Sequence, residues 1–222
     1  MTREELVKLI GSEHVDSLES LMDLTLSANE KFNLTAIKDK DAFRELMIYD
    51  SLIPLKYFDL TDKKVLDVGT GAGFPGLPLA ISSQGKFTLL DSTTKKINHI
   101  KDVCKELNIN NVTAVSARAE DFAKKNRESF DVVIARAVAS LKVLVELTLP
   151  LVAVGGTLIA MKGSNAEEEL KEASQMIKTL GGEVINVDTY ELPSGEKRAN
   201  ILIKKVKATP KKYPRLYSEI IK

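Results

Sequence analysis

Hydrophobic and polar positions change rhythm twice along the chain of 222 residues. Over residues 2–58 the apolar positions fall at helical spacing, with Leu18, Leu21, Met22 and Leu26 in one stretch and Phe43, Leu46 and Met47 in the next. From residue 63 short apolar runs rich in β-branched residues take over: "KKVLDV" (63–68), "KFTLLD" (86–91), "VTAVSA" (112–117), "DVVIARA" (131–137) and "TLIAMKG" (157–163). Helical patterns separate them, over 75–83, 93–107, 140–153 and 165–180. Strands alternating with helices predict a mostly parallel sheet with helices on both faces. Past residue 182 the rhythm changes again. "EVINVDTYEL" (183–192) and "RANILIKKVK" (198–207) are strand-like runs joined by "PSGEK", a turn that predicts an antiparallel hairpin. The pattern therefore predicts an α/β fold, a doubly wound sheet of about seven strands ending in a hairpin, preceded by helices. Three parts follow: an N-terminal helical subdomain (1–60), the sheet domain (61–207) and a tail (208–222).

Composition narrows the class. Hydrophobic residues make up 44% and charged residues 28%, the balance of a soluble globular chain. No apolar run approaches the roughly 20 residues of a membrane span. "MTREELVKLI" has no long apolar centre, so no signal peptide is expected, and a single cysteine fits a reducing compartment. The expected location is the cytoplasm. Charge is uneven. Residues 204–222 carry seven Lys and Arg against one Glu, net +6, within a chain whose total is +1. Such a tail is suited to a polyanion or is simply solvated and partly disordered.

The strongest local signal is "KVLDVGTGAGFPGLPLAI" (64–81), where Gly69, Gly71 and Gly73 alternate directly after the first strand. In an open α/β sheet that is where a ligand sits, and bare backbone admits close approach. Gly71, Gly73 and Gly76 match G-x-G-x-x-G, and Asp91 ends the second strand twenty residues beyond Gly71, where an acid can hold ribose hydroxyls. A NAD-dependent oxidoreductase would show both. The same loop also reads D-x-G-x-G-x-G from Asp67 to Gly73. That spacing resembles the first motif of class I S-adenosylmethionine-dependent methyltransferases. The resemblance implies a loop around the methionine part of the cofactor, an acid at the ribose and another near the adenine. Glu120 and Asp121 in "RAEDF" (118–122) stand where the last is expected.

The fourth strand bears on the reaction. "IARAVAS" (134–140) replaces the D/N-P-P-Y/F motif of many amino-group methyltransferases. Attack on a pyrimidine carbon needs a thiolate, and Cys104 lies on the apolar face of a helix. A ring nitrogen with a free lone pair needs only to be held in line with the methyl group. Arg136 ends a buried strand, so its charge needs a partner: a cofactor carboxylate, a phosphate, or an internal acid. With Lys162, Lys95 and Arg118 it is expected to form a positive mouth at the carboxyl edge of the sheet, which favours nucleic acid as substrate. No His, Cys or acid array has metal-ligand spacing, so no metal is expected.

At this level of detail the chain resembles the RsmG/GidB family over nearly its whole length. The resemblance rests on "NLTAI" (33–37), "DSL" (50–52), "DVGTGAGFPGLPLAI" (67–81), "LLDSTTKK" (89–96), "RAED" (118–121), "RAVASL" (136–141), "MKG" (161–163) and "GEKR" (195–198). It implies methyl transfer from S-adenosylmethionine to N7 of a guanosine in the 530 loop of bacterial 16S ribosomal RNA. The implied partner is the RNA or the small ribosomal subunit; a monomer is expected because nothing in the sequence resembles a coiled coil or a large exposed apolar stripe. It implies cofactor contacts at Gly69, Phe74, Ala119, Glu120 and Arg136, with Asp91 near the ribose and Gly71 and Gly73 in the loop. For the RNA it suggests Lys95, Arg118, Lys162 and Arg198, with Arg136 and Lys162 near the reacting groups and no covalent residue. Met47 stands where family members often have histidine, and no role is carried onto it. Asn33 and Asp50 are either substrate contacts or polar residues of helix packing, and the structural reading is preferred for Asp50. Arg136→Ala is expected to cost activity more than stability. Deleting residues 208–222 is expected to weaken RNA binding and leave cofactor affinity intact. The oxidoreductase and a non-catalytic RNA-binding protein are the alternatives.

Overall fold

A computed structural model describes residues 7, 8 and 10–222; the parts of the predicted helical region at residues 2–6 and 9 lie outside them. Helix α1 (Ser12–Phe32) buries Val15, Leu18, Leu21, Met22, Thr25 and Asn29, one face at helical spacing. It stops at Asn33, where a left-handed φ of 49° lets the N–H reach the Asn29 carbonyl. The second amphipathic pattern forms a composite run. It comprises α2 (Lys40–Phe43), a π-helical stretch (Arg44–Tyr49), α3 (Asp50–Leu52) and a 3-10 turn (Ile53–Lys56). Asp39 starts it by accepting the Ala42 N–H.

The sheet has the order β3-β2-β1-β4-β5-β7-β6. Strands β1 (Lys64–Val68), β2 (Lys86–Asp91), β3 (Val112–Ser116), β4 (Phe130–Arg136) and β5 (Val152–Lys162) are parallel. β7 (Lys197–Lys205) runs antiparallel between β5 and the edge strand β6 (Gly182–Glu191). The hairpin forms as expected, and its burial explains the order. β7 has a continuous buried run, whereas β6 is mostly exposed or half-buried, as befits an edge. The crossovers carry α4 (Gly76–Ile81), α5 (Thr94–Glu106), α6 (Ala119–Ala123), α7 (Leu141–Thr148) and α8 (Ala166–Thr179), and α9 (Tyr217–Ile220) follows β7.

Strand residues alternate between two cores. Val65, Phe87, Leu89, Ile134 and Ile159 face α1, the composite run and α5. Leu66, Val68, Leu90, Val133 and Leu158 face α7 and α8. The N-terminal helices thus share one core with the sheet. One boundary differs from the pattern: the helix predicted to 153 ends at Thr148, a 3-10 turn holds Pro150, and β5 begins at Val152. Proline lacks the N–H to continue the helix.

The tail is ordered against the body. Lys205 is fully buried, and its ammonium donates to the Leu149 carbonyl at 2.6 Å and to Thr209 Oγ1 at 2.7 Å. Arg215 pairs with the buried Glu146. One of the tail's cations is therefore buried in the fold and a second is anchored, still part-exposed, on a buried acid, so the tail is docked rather than a free arm, with Lys207, Lys211, Lys212 and Lys222 left exposed.

Candidate functional site

Order in the sheet reverses between β1 and β4, so their carboxyl ends open a crevice. β1 feeds the glycine loop there. Asp67, at the end of β1, is buried, and its Oδ2 accepts the Gly76 N–H at 2.8 Å. Gly76 has no room for a side chain: a Cβ would stand 2.1 Å from Leu89 Cδ2, so α4 lies close on β2. Gly71 is the opposite case. Its φ is +61° and a Cβ would meet nothing within 4 Å, so its backbone faces open space. The Asp91 carboxylate ties this loop to the next one, accepting the Gly71 N–H on Oδ2 at 3.0 Å and the Thr93 N–H on Oδ1 at 2.8 Å.

Burial pushes the Asp67 carboxyl up from 3.8 to about 6, with the Gly76 N–H working against that rise. The native chain then holds this proton more tightly than the unfolded chain. The stability it contributes is complete below pH 3.8 and is lost as pH rises through about 6. Asp67→Asn keeps an acceptor for Gly76 and removes the titration. The stability of wild type relative to this variant should fall by about 2 kcal/mol from pH 4 to pH 7 in denaturant unfolding. A difference independent of pH would show that this carboxyl ionises freely in the fold.

A cavity of about 310 Å³ adjoins the loop, lined among others by Gly69, Asp91, Lys96, Ala119, Glu120 and Ala137. Glu120 is 8% exposed, and its carboxylate accepts no hydrogen bond from the described residues, which leaves it available to a ligand. Asp91 retains unused lone pairs beside it. A polar, acid-lined cavity beside open glycine backbone fits the nucleoside and methionine parts of S-adenosylmethionine.

A second cavity, of about 430 Å³, lies across Ala137, which lines both. Its walls include Met47, Asp50, Arg136, Met161, Lys162 and Arg198. Arg136 Nη1 donates to Asp50 Oδ2 at 2.9 Å and to the Leu46 carbonyl at 3.0 Å, while Nη2, among the described residues, meets Met47 Sδ at 3.6 Å. The π-helical stretch holds that carbonyl and that sulfur. Asp50, 2% exposed, also accepts the Tyr190 hydroxyl at 2.8 Å and lies 3.9 Å from Arg198 Nε. Burial, and after it the Asp50 charge, push the Tyr190 phenol well above its usual range.

Of the residues the sequence proposed for the cofactor, Gly69, Asp91, Ala119 and Glu120 meet at the first cavity, and Gly71 borders it through Asp91. Gly73 packs under Leu77, and the Phe74 ring is in the core, edge-on to Phe43 with centroids 5.4 Å apart. Arg136 lines the second cavity. The expected positive mouth is corrected. Lys162 is held by Glu169 Oε2 and the Ala139 carbonyl, both at 2.6 Å, and Arg136 by Asp50, because cations this buried need acids. Lys95 turns away into a groove between α1 and α5; its neighbour Lys96 lines the first cavity. Arg118 lines that cavity too, and Arg198 the second. The sequence reading missed Lys96, Tyr190 and Tyr217. Adjacent lysines give no sign of which faces the crevice, and nothing local marks either tyrosine.

A sheet of this order with an acid-lined cavity at its switch point defines a class I S-adenosylmethionine-dependent methyltransferase. Solved structures agree in fold. They include a SAM-dependent methyltransferase from Aquifex aeolicus, with TM-score 0.56 and 18% identity over 80% of this chain and 97% of that one. Another is TYW2 from M. jannaschii in complex with AdoMet, with TM-score 0.54 and 17% identity over 67% and 72%. The sequence model of the GidB family, described as rRNA small subunit methyltransferase G, matches residues 14–199, and the chain belongs to that family. Relatives named Ribosomal RNA small subunit methyltransferase G are 46% identical in Geobacillus kaustophilus, over 96% of this chain and 91% of that protein. The one in Lactococcus lactis is 44% identical over 93% and 89%. Membership excludes the oxidoreductase reading of the glycine loop.

Proposed function

We propose that the chain transfers the methyl group of S-adenosylmethionine to N7 of a guanosine in the 530 loop of bacterial 16S ribosomal RNA. It does so as a cytoplasmic monomer. The observation that carries this is the pair of cavities meeting at Ala137, one acid-lined and one walled by Met47, Met161 and arginines. In the first, Asp91 and Glu120 hold ribose hydroxyls and the base edge, and the backbone at Gly69 and Gly71 lies along the cofactor. When bound, S-adenosylmethionine supplies a methyl group on a cationic sulfur. The second cavity receives the guanine, with the composite helical run of the 1–60 subdomain as one wall. N7 carries a lone pair and no proton, so the protein needs no base here and contributes position and electrostatics. A covalent route has no nucleophile in Cys104, whose thiol burial pushes up to about 11 and which is half-buried on α5.

Arg198 and the Nη2 edge of Arg136 face the RNA backbone, while Asp50 holds Arg136 and Glu196 pairs with Arg198. Arg198→Ala should raise the KM for RNA several-fold at low salt and less at high salt, because one phosphate contact fewer flattens the salt dependence, and leave cofactor affinity unchanged. Filter binding across a salt series checks this, and an unaltered RNA affinity would remove Arg198 from the interface.

The reaction itself is tested with labelled S-adenosylmethionine. The substrates are small subunits from cells lacking the enzyme and, in parallel, deproteinised 16S RNA. Label recovered as 7-methylguanosine supports the assignment, and the better substrate places the enzyme before or after subunit assembly. Label in another nucleoside would overturn the acceptor atom.

A further inference from the structure

Residues 208–222 return to the first cavity along a route held by ion pairs and carbonyl clamps. Lys205 and Thr209 fasten the root of the tail beneath Leu149 and Leu180. The Arg127 guanidinium then donates to the carbonyls of Thr209 at 2.6 Å and Tyr213 at 2.5 Å, which bends the segment over the edge of the body. Arg215 closes a fork on Glu146, with Nε to Oε1 at 2.8 Å and Nη2 to Oε2 at 2.7 Å, and its own N–H reaches Oε1 at 3.0 Å. Glu146 is fully buried on α7, so the pair matters: among the described residues Arg215 is the cation that pairs with that carboxylate. Leu147, next along α7, lines the first cavity, and so does Tyr217, two residues beyond Arg215. The Arg118 guanidinium sits 5.6 Å from the Tyr217 ring centroid. Among the described residues lining this cavity, Tyr217 is the one aromatic.

Acids that hold hydroxyls leave the faces of a nucleobase to be satisfied by stacking, and an aromatic ring does this best. We propose that Tyr217 is a cofactor-binding residue, the aromatic wall for the adenosine moiety, held in place by Arg118 and by the Arg215–Glu146 pair. This rests on the assignment of the first cavity to the cofactor. It reverses the expectation from sequence that removing 208–222 spares cofactor affinity.

The test is calorimetric titration of the full chain with S-adenosylhomocysteine and with adenosine, comparing wild type, Tyr217→Ala, Tyr217→Phe and Gly71→Val. Tyr217→Ala should weaken both ligands by about tenfold, and Tyr217→Phe should bind as wild type does. The ligand-free melting temperature of Tyr217→Ala should stay close to that of wild type, because the ring is only half-buried. The chain has no tryptophan, so tyrosine emission is a second readout: adenosine should quench it in wild type and less in Tyr217→Phe. If Tyr217→Ala binds both ligands normally while Gly71→Val binds neither, the wall is overturned and the cavity assignment stands. A loss confined to S-adenosylhomocysteine would put Tyr217 at the amino-acid end and overturn its adenosine role. Full affinity in Gly71→Val would overturn the cavity assignment and the inference with it.

Discussion

Gly71→Val should fold and yet bind S-adenosylmethionine at least ~100-fold more weakly than wild type. The two effects come from different properties of one position. A φ of +61° disfavours any residue with a Cβ, by about 1–2 kcal/mol and more for a branched one, so some stability is lost. No protein atom lies within 4 Å of the added Cβ, so the native packing survives. The space that spares the fold is the space the cofactor needs, and an isopropyl group fills it. Gly71→Ala should fall between the two. Titration calorimetry beside thermal unfolding separates the terms. Equal proportional losses of stability and affinity would show that the loop merely unfolds.

Removing either member of the Arg136–Asp50 pair should destabilise the chain by about 3–5 kcal/mol as well as abolish methyl transfer. Asp50 is 2% exposed and the Arg136 side chain 13%, so losing either leaves the other largely shielded from water without its closest charge partner. Asp50→Ala also leaves the Tyr190 hydroxyl without its acceptor. This revises the expectation that Arg136→Ala costs activity more than stability, which treated the guanidinium as free for ligand. The double variant Asp50→Leu/Arg136→Met should recover most of the stability and none of the activity, since apolar replacement of a buried pair is often neutral. Urea unfolding and single-turnover kinetics on the three variants decide it. Activity returning with stability would make the pair purely structural.

Much of this was legible in the sequence because periodicity reports burial. The five parallel strands, the hairpin and the helices between them follow from which positions must leave water. The glycine loop and Asp91 were legible because a turn beside a ligand restricts residue type. The partners of the cations were not. Arg136 finds Asp50 across 86 residues, and Lys162 finds Glu169 on the helix after it. A sequence shows that a buried charge needs an acid without showing which acid arrives. The docking of the tail was hidden for the same reason: of its seven cations, Glu146 on α7 pairs with one and the Leu149 carbonyl under β7 takes another, and neither partner is marked in the sequence.

The knot at Asp50 has an evolutionary consequence. It joins the π-helical run, the end of β4 and the edge hairpin through Arg136, Tyr190 and Arg198. A change at one of these positions strands a charge or a hydroxyl at the others, so its effect depends on what the others already are. Lineages should therefore cross between alternative residues here in correlated steps, through compensated intermediates, while Ala137 and the cavity rims on either side drift one substitution at a time.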